Sequence, residues 1–275
     1  MAAVTINDLA QELLDTIIDQ VGNLTDFKSP PIERQLGVES LRSCSLVARA
    51  WLPRARQYLF HEVEFSSMDR FMRWHEVIAH GTFSPYNFVQ ILHFREKTEQ
   101  WVTSDTFPWV LEHLAAFPQV GSLIFTQYDI TPLVLPLQQA LASFLQSIRY
   151  LEVDSMAMNT PTELFALVDC FPHLEDLNIG HGRVRSHHER GIYPERSAER
   201  FRGRLYINSR ERDDDIFLRE LSARPVHFQE VRIVNSPFRK PLCDLVAACA
   251  PNVRRLQILS PSRGTPFSIV WTPRS

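Results

Sequence analysis

The chain has 275 residues, 44% of them hydrophobic and 22% charged, which is enough to bury a substantial core in one or two domains. Its formal net charge of −3 creates no global field to recruit nucleic acid or an anionic membrane. Nine glycines against 18 prolines disfavour folds that need Gly-rich turns or phosphate loops.

The first expected element is a helix. Asn7 or Asp8 can cap it, with Gln11 three residues after Asp8 in the capping-box position. Leu9, Leu13, Ile17 and Val21 recur every four residues, Leu14 and Ile18 widen the stripe, and Gly22-Asn23 supplies a stop. Thr25 to Pro31 reads as a break. A second helix is expected through Leu41, Cys44, Val47 and Trp51, ended or kinked by Pro53, which lacks an amide proton and clashes with the preceding turn. The same proline is placed to start a third short helix through Ala55, Tyr58 and Leu59. Three helices this short cannot bury all their apolar surface against one another, so part of it should meet another surface.

The run Leu9-Ala10-Gln11-Glu12-Leu13-Leu14 with Ile17-Ile18, then Leu41 to Trp51, then Tyr58-Leu59-Phe60, resembles an F-box. It is most similar to the F-box proteins abundant in mushroom-forming fungi. The resemblance implies a docking module over residues 1–62 that seats on the Skp-type adaptor of a cullin-based SCF ubiquitin ligase, while the rest of the chain holds a protein target. Carried over by position, the adaptor-facing residues are Leu9, Leu13, Ile17, Leu41, Cys44, Val47 and Trp51. Two features depart from the family pattern: Ala10 replaces its usual proline, and the connection from Gly22 to Pro31 is longer than in the compact form. Cys44 reads as a small buried hydrophobe rather than a nucleophile. The competing reading is a helical cap over the following region, with no partner.

An apolar-x-x-apolar-x-apolar pattern then recurs. It appears at Val89-Leu92-Phe94, Val120-Leu123-Phe125, Ile148-Leu151-Val153, Leu174-Leu177-Ile179, Phe228-Val231-Ile233 and Val253-Leu256-Ile258. The first positions are 31, 28, 26, 54 and 25 residues apart, and the 54 leaves room for a weaker unit at Arg202-x-x-Leu205-x-Ile207. Helical stretches are expected between these strands, around Val110 to Phe117, Leu137 to Leu145, Leu164 to Cys170, Ile216 to Leu221 and Leu242 to Cys249. Phe117-Pro118, Phe171-Pro172 and Ala250-Pro251 end three of them. A strand and a helix every 25 to 31 residues fits a leucine-rich-repeat-type solenoid; an open doubly wound sheet is the rival. The asparagine expected after each strand is missing, with Lys97, Tyr128, Met156, Gly182, Arg210, Ser236 and Pro261 in its place, so irregular turns are expected. A last strand is possible around Phe267 to Trp271.

Chemistry-bearing motifs are sparse. His75 and His80 are five residues apart, which on a helix turns the second imidazole about 140° away from the first. His181, His187, His188 and Asp213 to Asp215 share a polar region that a metal-dependent hydrolase could use, although solvation is the simpler reading. Nine arginines between Gly182 and Arg212 suit phosphate or carboxylate recognition, yet interspersed glutamates and few aromatics favour a solvated loop over about 181–215. Scattered Cys44, Cys170, Cys243 and Cys249 suit reduced thiols.

The expected fold class is α/β: a three-helix F-box-like module over 1–62, then an irregular leucine-rich-repeat-type solenoid over 63–275. The expected role is a substrate adaptor without catalytic residues, cofactor or metal, cytoplasmic or nuclear, with no nucleic-acid or membrane partner. A ligase-independent interaction scaffold is the alternative.

Overall fold

The computed structural model describes residues 11–25, 30–47, 49–80, 84–96, 101, 103, 105–139, 143–184, 203–208, 218–219, 221–222, 228–234, 239–260 and 267–271. Helices α1 (Gln11–Asn23), α2 (Pro31–Val47) and α3 (Leu52–Leu59) come first, followed by β1 (Glu62–Phe65) and α4 (Met68–His80). Next are β2 (Ile91–Arg95), α5 (Phe107–Leu114), β3 (Ser122–Thr126), α6 (Thr131–Gln139), α7 (Ser143–Ser147), β4 (Tyr150–Asp154), β5 (Met156–Met158) and α8 (Pro161–Val168). The last described elements are β6 (Asp176–Ile179), β7 (Gly182–Val184), β8 (Arg204–Asn208), β9 (Glu230–Val234), α9 (Lys240–Cys249), β10 (Arg255–Ser260) and β11 (Phe267–Trp271).

The protein is a mixed α/β structure built on one nine-stranded sheet, ordered β1-β2-β3-β4-β6-β8-β9-β10-β11. Neighbouring strands are parallel except β10 and β11, which are antiparallel. The strands follow chain order without a reversal, whereas a doubly wound sheet reverses at a switch point.

The expected strands, including the weaker seventh, all lie in this sheet and in register. Val63, Leu92, Leu123, Leu151, Leu177, Leu205, Val231 and Leu256 pair in one continuous row. Phe65, Phe94, Phe125, Val153, Ile179, Ile207, Ile233 and Ile258 pair in the next. Alternate residues of a strand share a face, so both rows point to the helix side; from β1 to β9 they belong to the main core, and Leu256 of β10 packs against it. β1 was not foreseen as a strand, although Val63 and Phe65 occupy the same two rows.

Prolines start the helices. Pro53, Pro108, Pro161 and Pro241 stand in the first turns of α3, α5, α8 and α9, and Pro132 is the second residue of α6. Their fixed φ pre-organises a first turn whose amide protons lack partners anyway. This use accounts for much of the excess of proline over glycine.

The turns after β3 and β4 are more regular than expected. Gln127 and Ser155 follow β3 and β4 at equivalent positions, and both adopt positive φ, at 61° and 53°. Beyond them β5 and β7 pair in parallel, and Asp129 bridges Ala157. Backbone bonds between neighbouring turns take over the task of an asparagine ladder: Gln127 N donates to Asp154 O at 2.9 Å, Ala157 N to Tyr128 O at 2.8 Å, and Met156 N to His181 O at 2.9 Å. Tyr128 and Met156 are buried there, so an apolar stack replaces amide side chains.

The range expected as one polar loop, about 181–215, is also not uniform. It contains β7 and β8, whose Leu205 and Ile207 are buried. Gly203, just before β8, approaches the preceding unit so closely that a Cβ would stand 1.8 Å from the Glu175 carbonyl oxygen. Because that atom is backbone, Gly203→Ala must displace the strand. Its expected cost is about 1–3 kcal/mol, in the range of overpacking a filled interior, and chemical denaturation would measure it.

Candidate docking surfaces

The first three helices close around a small core of their own: Leu14, Ile18, Leu41, Trp51 and Ala55, with Val21, Cys44, Tyr58 and Leu59 packed against it. A polar tie holds α1 to α3. Arg54 donates to both Asp19 carboxylate oxygens, at 2.6 and 2.9 Å, and the Tyr58 hydroxyl donates to Asp19 Oδ1 at 3.0 Å. Gly22 makes this approach possible, since a Cβ there would fall 2.4 Å from the Tyr58 ring.

The Arg54 hydrogen bond, opposed by desolvation and supplemented by Tyr58, holds the Asp19 carboxyl below its ordinary range. A depressed carboxylate stabilises the folded state above its unfolded pKa, about 4, and that contribution disappears as pH falls through the folded value. Asp19→Asn should therefore lower the melting temperature at pH 7 and flatten its fall below about pH 4, read from thermal melts at both pH values.

The second helix differs from expectation. It starts at Pro31, inside the expected break, and ends at Val47; Trp51 lies beyond it as the residue before α3. The shift changes which residues face outward. Leu13 and Val47 are each 55% exposed and Ile17 is 44% exposed, whereas Leu41 is fully buried and Trp51 is 7% exposed. Cys44 is half-buried. Leu41 and Trp51 are thus core residues of the module, not surface offered to a partner. Leu9, Asn7 and Asp8 lie outside the described residues.

The structure adds outward residues that the periodicity did not single out: Leu24, Ile32, Leu36 and Leu46. At about 100° per residue, Ile32, Leu36, Leu46 and Val47 fall within an arc of roughly 100° on α2, opposite Leu41. Of the eight large apolar side chains that stand exposed among the described residues, all but Met72 belong to this module. That concentration makes the surface a candidate docking face.

The second surface is the sheet face turned away from the helices. Its central row reads Glu64, His93, Ile124, Glu152, Asn178, Tyr206, Arg232 and Gln257. Charges of both signs alternate along it: Glu64 beside Arg95 on β1 and β2, Glu152, Asp154 and Asp176 on β4 and β6, then Arg204, Arg232 and Arg255 on β8 to β10, with Glu230 in register between Arg204 and Arg255. Arg204 pairs with Asp176, and Arg232 lies 5.2 Å over the Tyr206 ring. Tyr150 donates to Glu152 and accepts from Asn178 Nδ2 at 3.3 Å; burial pushes its phenol well above the ordinary value, with Glu152 adding to the effect. This is a built polar surface, with side chains held by their neighbours.

Catalytic arrangements are not evident among the described residues. No three His, Cys, Asp or Glu side chains gather there as a metal group. His181 is described, while His187, His188 and Asp213 to Asp215 lie outside. Burial pushes the Cys170 and Cys249 thiols up to about 12, far from the thiolate form a nucleophile needs. An apolar cavity of about 240 Å³ between α9 and β9–β10 is lined by Val231, Val246, Cys249, Ala250, Val253 and Leu256, without polar groups to orient a substrate. No described helix is long and apolar enough to cross a membrane.

Compared with known proteins, the chain matches no protein-family model and no curated protein.

Proposed function

We propose that this protein is a substrate-recognition adaptor of an SCF-type ubiquitin ligase, with an F-box-like module joined to a leucine-rich-repeat-type solenoid. The observation that carries the reading is the exposed apolar surface of α1 and α2, on a three-helix module with its own core. A helical cap over the solenoid, with no partner, would turn its apolar residues toward the sheet; here Leu13, Ile17, Ile32, Leu36 and Val47 stand outward. In this reading they seat on a Skp-type adaptor, which links the chain to the cullin complex.

The polar sheet face holds a protein target. Tethering raises the target's effective concentration near the transfer site, and the chain itself makes and breaks no bonds. The sequential parallel order and the two continuous apolar rows support a solenoid, because each unit buries its inner face only against its neighbours. This role suits a cytoplasmic or nuclear protein.

A pull-down of the purified full chain on immobilised Skp-type adaptor tests the proposal. Retention supports it. If the adaptor does not retain the folded chain, the ligase role is lost and a ligase-independent scaffold takes its place.

A further inference from the structure

We propose that His75 and His113 form a two-histidine binding site for a divalent transition-metal ion of the zinc, nickel and copper group. His75 lies on α4 and His113 on α5, and their ring centroids are 4.4 Å apart with planes at 86°. Two imidazoles sharing one ion, with metal–nitrogen bonds of about 2.0–2.1 Å and a near-tetrahedral or right-angle geometry, place their centroids roughly 4.5–5 Å apart. The separation of the two rings is close to that of two imidazoles on one ion.

The tautomer of His113 is also fixed in the required form. Its Nδ1 lies 2.8 Å from the Trp109 carbonyl oxygen, and since a carbonyl can only accept, Nδ1 carries the proton. The Nε2 lone pair is left for a ligand. A ligating histidine commonly donates its other ring N–H to a carbonyl in this way, which orients the ring. Among the described residues the His75 ring makes aromatic contacts and no hydrogen bond.

One helical turn earlier on the same two helices, Phe71 and Trp109 pack edge to face at 5.6 Å. This contact fixes α4 against α5, so the two imidazoles are positioned before any ion arrives. Both rings are half-buried, within reach of solvent. No third His, Cys, Asp or Glu joins them among the described residues, so water completes the coordination shell. Neutral nitrogen ligands select borderline ions over Mg²⁺ or Ca²⁺, which prefer oxygen.

Calorimetric titration of the full chain with ZnCl₂, NiCl₂ and MgCl₂ tests the site, alongside His75→Phe and His113→Phe, which keep an aromatic ring in place. The expected result is one Zn²⁺ or Ni²⁺ per chain, no Mg²⁺, and affinity more than about tenfold weaker in either variant. Unchanged affinity in both variants, or no binding by the wild type, overturns the proposal. Should the variants not fold, carbethoxylation of the wild type gives an independent test. Zn²⁺ is expected to shield His75 and His113 from diethyl pyrocarbonate, and equal modification with and without the ion overturns the site.

Discussion

Phe94→Ala is expected to destabilise the protein by about 3–5 kcal/mol, the usual cost of removing a fully buried aromatic side chain. Phe94 is completely buried, one residue before the end of β2. Its register partners are Phe65 and Phe125, with ring centroids at 5.8 and 5.5 Å, and Trp101 stacks at 5.9 Å. The space left by the ring cannot close easily. The strands on either side are fixed about 4.8 Å away by backbone hydrogen bonds, and the neighbouring rings are held by other contacts. Phe65 packs at 4.9 Å on Phe71, and Phe125 at 5.8 Å on Tyr128. In urea denaturation the midpoint should fall while the slope stays near the wild-type value. A loss below about 1 kcal/mol would mean that this aromatic row is not an integral part of the core.

The second large effect concerns docking. Leu13→Asp and Val47→Asp should each weaken binding of a Skp-type adaptor by about thirtyfold or more, since a buried interface anchor contributes 2 kcal/mol or more and each 1.4 kcal/mol is tenfold. Both side chains are more than half exposed in the free chain, so their effect on folding should stay within about 0.5 kcal/mol. Leu41→Asp makes the contrast. It places a charge in the closed core of the module, so it should abolish binding by unfolding α1 to α3. Circular dichroism separates the two cases. Wild-type affinity in both surface variants would move the interface off this face.

Much of the sheet was legible because a strand's two inward residues carry their own spacing. The pair Leu92 and Phe94 recurs as Leu123 and Phe125, and the two positions pair directly across the sheet. β1 has the same spacing in Val63 and Phe65, but at four residues, close behind the helical Tyr58 and Leu59, it does not stand out as a unit of its own. β5 and β7 could not be read, being three residues long and held by backbone bonds that involve no particular side chain.

For the docking module, periodicity identified apolar residues without saying which face turns inward. Leu41 and Trp51 face α1, whereas Ile32 and Leu36 face outward, and only the packing of three helices decides between them. The start of α2 was hidden because Ser29-Pro30-Pro31 reads as a break, although a proline can equally occupy the first helical position. The His75–His113 pair was out of reach for a different reason. Within the sequence His75 has His80 as its near neighbour, and only the packing of α4 on α5 brings His113 beside it.

In the proposed function, α1 and α2 form the ligase-docking face and the sheet does not. Hydrogen–deuterium exchange of the full chain, with and without saturating purified Skp-type adaptor, tests this most directly. The expected result is slowed exchange in Gln11–Asn23 and Pro31–Val47, with the strands from β2 to β10 unchanged. Protection confined to the sheet, or none in the helices at saturation, would contradict it.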